Sequence, residues 1–228
     1  MARGTAGGDG RAPRGWGTLD RDQIVEASLA LAREPGGLAE VTVRRVADTV
    51  GCSRMALYRH ISDKQELLDL AADRIAADAA AGLALDDPAP WDDRLRTIAG
   101  HLRAHLERNP AFAEFMIVRS VHGPGGVRMA ELITRAVADT GLTPERVAHY
   151  CLVFTDVVLG RIHHEVAGDP AASSRNARLL AAAARTPEAS FVRRYTEHLE
   201  RVSADEVFRT EVDMVVGAIH RELAGTRR

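Results

Sequence analysis

The sequence predicts an all-α chain: a small N-terminal bundle of three helices, joined by a fourth helix to a larger helical body. Three observations carry that expectation. Apolar residues recur at three- and four-residue spacing along most of the chain. Cap signals open these stretches, and Gly or Pro closes them. No segment alternates apolar and polar residues as a half-buried strand would, and no internal repeat is visible.

Taken in order, residues 1–18 are rich in Gly, Arg and Pro and are expected to form a disordered tail. Arg3, Arg11 and Arg14 would make it a basic arm able to approach a DNA groove. The first helix follows "LDRDQI". Asp20 is the expected N-cap with Gln23 as its reciprocal partner, and Leu19 and Ile24 sit at staple positions. Ile24, Ala27 and Leu31 form the inner stripe, and "EPGG" ends the helix near Arg33. A second helix is expected after Thr42, with Val46 and Val50 turned inward and Gly51 closing it. Ser53 can cap a third helix of barely two turns. Ser62-x-x-Gln65 reads as a capping box for a fourth helix through Leu67, Leu68, Ala71 and Ile75 to about Ala81.

"GLALDDPAP" is the expected linker, dividing an N-terminal unit at 19–81 from a second at 82–228. Beyond it Trp91, Leu95, Ile98, Leu102 and Leu106 form one stripe, stopped at Asn109-Pro110. Thr143-Pro144 and Thr186-Pro187 each look like an N-cap followed by Pro at the first helical position. A long helix from Pro144 to Gly168 would carry Val147, Cys151, Phe154, Val158 and Ile162. Ser203-x-x-Glu206 opens the last helix, with Phe208, Val212, Val215, Ile219 and Leu223 in register. The expected total is nine to ten helices.

Composition narrows the function classes. The chain has 228 residues, 46% hydrophobic and 27% charged, an ordinary globular balance. No apolar run approaches the roughly 18–20 residues of a membrane helix. The N-terminal stretch has no apolar core of a secretory signal. Cys52 and Cys151 lie far apart without metal or redox spacing, so a reduced cytoplasmic setting is expected. The formal net charge of −2 is unevenly placed. Between Thr42 and Lys64, five cations (Arg44, Arg45, Arg54, Arg59, Lys64) face two acids (Asp48, Asp63), a local +3. Lys64 is the sole lysine, and it falls in this window.

The stretch "VGCSRMALYRH" at 50–60 explains the local charge. Two helices joined by a short Gly-containing turn describe a helix-turn-helix, whose second helix lies in the DNA major groove. Ala56 and Leu57 would pin that helix to the bundle. Arg54 suits direct readout, because guanidinium pairs bidentately with guanine. Tyr58, Arg59 and His60 would supply hydrogen bonds that reach phosphates, with Ser53 beside them at the start of the helix, and Lys64 opens the fourth helix where backbone N–H groups also attract phosphate. Thr42 and Arg44 would clamp the backbone at the other end. A charge cluster is also compatible with a plain solvated face, and a helix-turn-helix shape with a protein that never touches DNA.

The run "TVRRVADTVGCSRMALYRHISDKQELLD" resembles the DNA-binding signature of the TetR, or tetracycline-repressor, family of transcriptional regulators, over about residues 19–78. The resemblance implies DNA contacts at Thr42, Arg44, Arg54, Met55, Tyr58, Arg59, His60 and Lys64. Residues 82–228 are more weakly similar to the family's effector-binding and dimerisation domain, through Trp91 and "VVLGRIHHEVAG". Ala80 and Asn109 stand where histidines that serve tetracycline and its magnesium would be expected, which argues against that ligand. The resemblance further implies that helices 144–167 and 204–224 build a four-helix dimer contact; the alternative is that they are internal core helices.

A ligand pocket is expected within 91–166. Phe112, Phe115, Met116, Met129, Phe154 and Ile162 would supply its apolar lining, and Arg119, His122, His149 and Asp156 its polar anchors. His101 and His105 are further pocket candidates; they are four apart on one helix but lack a third ligand, so no metal or other cofactor is expected. The sequence therefore points to a ligand-responsive repressor acting as a homodimer on a palindromic operator, with no membrane partner. An activator, a protein-binding helix-turn-helix scaffold, or an enzyme using the helical pocket are the alternatives. No nucleophile triad, nucleotide loop or carboxylate pair supports the last.

Overall fold

A computed structural model describes residues 19–166 and 172–226; for 172–177 and 226 it describes the backbone alone. The basic tail of residues 1–18 lies outside them, as does the last part of the expected long helix. Among the described residues there are eleven α-helices, one 3₁₀ turn and no strand.

The first helix, α1 (Arg21–Ala32), is closed at its start by the expected capping box, with Asp20 N–H donating to Gln23 Oε1 at 3.2 Å. It buries Ile24, Ala27 and Leu31. After the 3₁₀ turn Gly37–Ala39 comes α2 (Val43–Val50), where Thr42 Oγ1 accepts from Arg45 N at 3.2 Å. Gly51 ends it in the left-handed region at φ 80°, a conformation a Cβ would disfavour. Ser53 caps α3 (Arg54–Leu57), its Oγ accepting from Ala56 N at 3.1 Å. This helix has one regular turn and then loosens into turns to His60, shorter than expected, because Tyr58 already caps it.

The start of α4 (Lys64–Ala80) corrects one expectation. Asp63, not Ser62, is the N-cap: its Oδ1 accepts from Glu66 N at 2.9 Å, and Glu66 Oε2 accepts from Ser62 N at 2.7 Å. Asp63-x-x-Glu66 offers a carboxylate at both ends of the box, so the pattern slides by one residue. Gln65 instead turns to Asp69 at 3.0 Å.

The body contains α5 (Trp91–Glu107), α6 (Ala111–Val118), α7 (Pro124–Ala138), α8 (Pro144–Val166), α9 (Ala172–Ala184), α10 (Ser190–Arg201) and α11 (Ala204–Thr226). Thr186-Pro187 does not start a helix. Thr186 Oγ1 donates back to Ala182 O at 2.9 Å and finishes α9, leaving α10 to begin at Ser190. Ser203 does cap α11, with Glu206 closing the box. The helices α8 and α11 run antiparallel: Arg146 near the start of α8 donates to Glu222 near the end of α11 at 2.6 Å, while Arg161 approaches Glu211 at 4.0 Å.

One continuous apolar cluster runs from Ile24 and Leu57 through α4 to Phe112, Phe154 and Ile219. Its spine is α4, which packs on α1 and also on α5 and α7. A helix that shares its core with both halves cannot shift without moving both.

Candidate functional site

Helix α3 is anchored by a single side chain. Leu57 has no exposed surface, and with Val46, Val41, Ile61 and Leu67 it ties the helix to the bundle. Everything around it points away. Ser53, Arg54, Met55, Tyr58 and Arg59 are exposed, and His60 is half-buried. Exposed Met55 and Tyr58 are informative, since a free fold would turn such large side chains inward. Among the described residues Arg54 and Arg59 have no ion-pair partner, so both guanidinium groups remain available for a polyanion.

The flanks are more engaged. Thr42 is half-buried and spends its oxygen on the α2 cap. Arg44 is exposed and only loosely paired with Asp48 at 3.8 Å. Lys64 Nζ donates to the Leu38 carbonyl at 3.0 Å, which holds it beside the 3₁₀ turn and leaves two N–H groups outward. Arg45 is different from its neighbours: it is held by Glu34 at 2.9 Å and by Glu40. Both acids lie outside the 42–64 window, so the local +3 overstates the free charge. Glu66, in the first turn of α4, is held below the usual carboxylate range first by the Ser62 backbone N–H.

In the body, the residues expected to line a pocket divide between interior and surface. Phe112, Phe154 and Ile162 are fully buried, and Met116 and Met129 nearly so. No space large enough for water lies against the first three, so in this conformation they are packed core. Phe115 is half-buried and meets Phe112 edge-on at 5.9 Å. Arg119, His122, His149 and Asp156 are exposed on the chain surface and do not face into that interior. Clefts lie elsewhere. One of about 430 Å³ follows α4 between Asp63, Glu66, Asp69, Asp73 and His122; another of about 400 Å³ lies between Ala77, Ala81 and Arg128.

His101 and His105 are tied into the backbone rather than set toward a metal. His101 Nδ1 lies 3.1 Å from Ala79 O in α4, and His105 Nδ1 lies 2.8 Å from His101 O. A carbonyl only accepts, so both rings carry their proton on Nδ1. Asn109 continues the row, donating to His105 O at 2.9 Å and accepting from Arg33 Nη2 at 3.0 Å. Four carbonyl and amide groups thus chain the end of α4 along one face of α5 to the end of α1. Among the described residues no cluster of three or more His, Cys, Asp or Glu is placed to hold a metal, and no helix is long and apolar enough to cross a membrane.

The tightest seam between the halves was not foreseen. Helix α7 opens with Gly-Pro-Gly-Gly and has no capping side chain of its own. Asp73 of α4 supplies one: its Oδ1 accepts from Gly126 N, the third residue of α7, at 2.9 Å. The approach is so close that a Cβ on Gly125 would lie 2.2 Å from Asp73 O and 2.7 Å from Ala77 N. The signal was present as a helix start with no Ser, Thr, Asp or Asn before it, which requires a cap from elsewhere. Arg128 Nη2 adds a bond to Leu83 O at 2.9 Å, stitching α7 to the end of the α4 segment.

Comparison with known proteins agrees with this geometry. Residues 24–71 match the family model for bacterial regulatory proteins of the tetR family, and residues 85–218 match the tetracyclin repressor-like C-terminal domain. The HTH-type transcriptional repressor DrrR1 of Streptomyces coeruleorubidus is 31% identical over 143 residues, 63% of this chain and 52% of that protein. The chain therefore spans about half the length of that relative. The tetracycline repressor protein class A from transposon 1721 of Escherichia coli is 22% identical over 203 residues, 88% of this chain and 90% of that one. The apo structure of ActR from Streptomyces coelicolor superposes with a TM-score of 0.80 at 20% identity, covering 92% of this chain and 99% of ActR. A further ActR structure holds actinorhodin.

Proposed function

Because this chain belongs to the tetR family of bacterial regulatory proteins, a family of transcriptional regulators rather than enzymes, we propose that it is a repressor released from a palindromic operator by a small molecule. Residues 19–81 form the DNA-binding unit and 82–228 the effector-binding and dimerisation unit. The observation that carries this is the outward ridge of Arg54, Met55, Tyr58 and Arg59 on a helix held only by Leu57. Arg54 reads a base edge in the major groove. Tyr58, Arg59, His60 and Lys64 meet phosphates, with Ser53 and Met55 beside them and Thr42 and Arg44 on the far flank. One such helix reads too few bases for selectivity. A two-fold pair on antiparallel α8 and α11 sets two of them about 34–36 Å apart, one turn of DNA.

The seam between α4 and α7 gives the release mechanism. Glycine contacts and the Asp73 cap leave no slack there, so a shift of α7 drives α4, and α4 carries the bundle. To move nearly all molecules out of the DNA-competent state, a ligand must favour the other state by about 5.5 kcal/mol. The packed interior around Phe112 and Phe154 then has to part to admit it. The ActR structure that holds actinorhodin supports a small-molecule effector; tetracycline with magnesium is disfavoured, because Ala80 and Asn109 stand where histidines would be expected and Asn109 is engaged by Arg33 and His105.

The test is selection of duplexes from a random pool by the full chain, followed by mobility-shift titration. An inverted repeat with half-sites one turn apart is expected. Arg54→Ala then relaxes preference at one base step, while Lys64→Ala weakens all duplexes alike. Selection that returns no repeat, with neither variant altering affinity, would falsify this assignment.

A further inference from the structure

One guanidinium in the body ties three helices together. Arg103, near the end of α5, donates from Nε to Glu165 Oε2 at 2.8 Å, at the end of α8. From Nη1 it donates to Asp205 Oδ1 at 2.7 Å, in the first turn of α11. Its guanidinium carbon also lies 4.7 Å from the centre of the Phe208 ring of α11. Among the described residues this is the single ion pair between α5 and α8, and no other side chain of α5 pairs with both α8 and α11.

The pair is deep. Glu165 has 6% of its side chain exposed, and Arg103 18%. Burial pushes the Glu165 carboxyl up, and the Arg103 charge beside it pulls it back. Nothing else satisfies this carboxylate well: its Oε1 lies 3.4 Å from Arg161 Nε, and neither atom makes a hydrogen bond. A buried carboxylate with one good partner fixes where that partner must stand.

Geometry gives the pair its consequence. Helix α5 is pinned to α11 at two places: Arg96 donates to Asp213 at 2.9 Å, and Arg103 to Asp205, about 10 Å further along α5. Two pins fix the crossing angle of a helix pair, whereas one pin is a pivot. Helix α5 in turn packs on α4, where His101 Nδ1 meets Ala79 O. Helix α4 has 17 residues, a rod of about 25 Å whose far end is Lys64, beside α3. A tilt of about 8° at the Ala79 end carries the Lys64 end by about 3.4 Å, one base-pair step.

We propose that Arg103 is a positioning residue for operator spacing: it holds α5 against α8 and α11, so that the two recognition helices of a dimer meet half-sites at one separation. This rests on the dimer reading given above and goes further, because it assigns selectivity for the spacer to a side chain that touches no DNA. The residues of α3 read bases within each half-site, and Arg103 fixes the interval between them.

Mobility-shift titrations of the full chain against a spacer series test this role. The duplexes carry the selected inverted repeat with base pairs added or removed, one at a time, at its centre. The wild type is expected to favour one spacing over its neighbours by about tenfold. Arg103→Met/Glu165→Met removes both buried charges together, so no carboxylate is left unpaired. It is expected to narrow that ratio to about threefold or less, with base preference within each half-site and the dimer fraction in sedimentation unchanged. Asp205→Ala, at an exposed position, cuts only the α11 contact and gives a smaller change in the same direction; it decides the matter if the double variant does not fold. Arg103→Lys keeps the charge but not the two-sided fork, and should fall between the double variant and the wild type. Variants that keep the wild-type ratio, or lose affinity by one factor at every spacing, overturn the role of Arg103 and leave the dimer standing. A wild-type chain with no preferred spacing overturns the dimer reading, and this assignment with it.

Discussion

Helices α3 and α10 both hold large side chains out of the protein, and they differ in what those side chains are. On α3 the ridge is cationic and hydrogen-bonding, with Arg54 and Arg59 unpaired on either side of Tyr58. On α10 it is apolar, with Phe191, Tyr195 and Leu199 on one face. The first suits a polyanion whose groove already holds water. The second suits a surface from which water must be expelled. Exposure is common to both helices; the chemistry of the exposed atoms separates them. The two helices also differ in support. Leu57 drives α3 into a shared core, whereas α10 has only α9 and the Arg193 staple behind it.

The largest effect should come from removing that support. Leu57→Ala empties a fully enclosed site and should cost about 2–5 kcal/mol in a urea melt. The matching truncation on α10, Leu199→Ala, should change the monomer by no more than about 0.5 kcal/mol, because its side chain already meets water. Equal losses at the two positions would erase the contrast.

Next comes a test of partner choice. Arg54→Ala should lower operator preference by about 1–3 kcal/mol in a mobility-shift titration and leave the sedimentation profile untouched. Tyr195→Glu should leave that preference in place. DNA affinity should also fall steeply with salt, as phosphate contacts require.

A smaller effect is expected where α3 is linked to the body. Asp73→Ala removes the borrowed cap of α7, and loss of a cap costs about 0.5–2 kcal/mol. Its more telling readout is release from DNA: effector should displace the variant less completely than the wild type, since α7 no longer grips α4. Undiminished displacement would separate the seam from signalling.

The smallest is a pH effect where the start of α8 meets the end of α11. Glu222 is held at about 2 by hydrogen bonds from Arg146 and then Tyr150. A lowered carboxylate stabilises the folded state above its ordinary range, near 4.5, and that contribution is lost as pH falls through about 2. Glu222→Gln should therefore melt earlier than the wild type at neutral pH, with the gap closing across that acid window. A gap independent of pH would show that packing, not charge, joins α8 to α11 there.

Much of the fold was legible because its signals are local. The capping box at Asp20, the cap at Ser53, the left-handed Gly51 and the box at Ser203 each depend on residues within a few positions of one another. So does the exposure of Arg54, Met55 and Tyr58, since a short helix with one apolar pair can bury little else. Where two local patterns overlapped, as at Ser62 and Asp63, only the folded backbone chose between them. At Thr186-Pro187 the hydroxyl turned back to finish α9, a choice set by where that helix's last carbonyls lay.

By itself, then, the sequence determined the helical class, most helix ends and the outward ridge of α3, because caps and periodicity act within one or two turns. Tertiary structure decided which charges stay free, with Arg45 taken by Glu34 and Glu40 while Arg54 is left open. It also buried Phe112, Phe154 and Ile162 fully, placed Asp73 on the start of α7, and left α10 uncovered. Arg45 meets Glu34 from 11 residues away, and Asp73 meets Gly126 from 53. No periodicity or spacing encodes such a meeting, because it is the packing of whole helices that sets the distance.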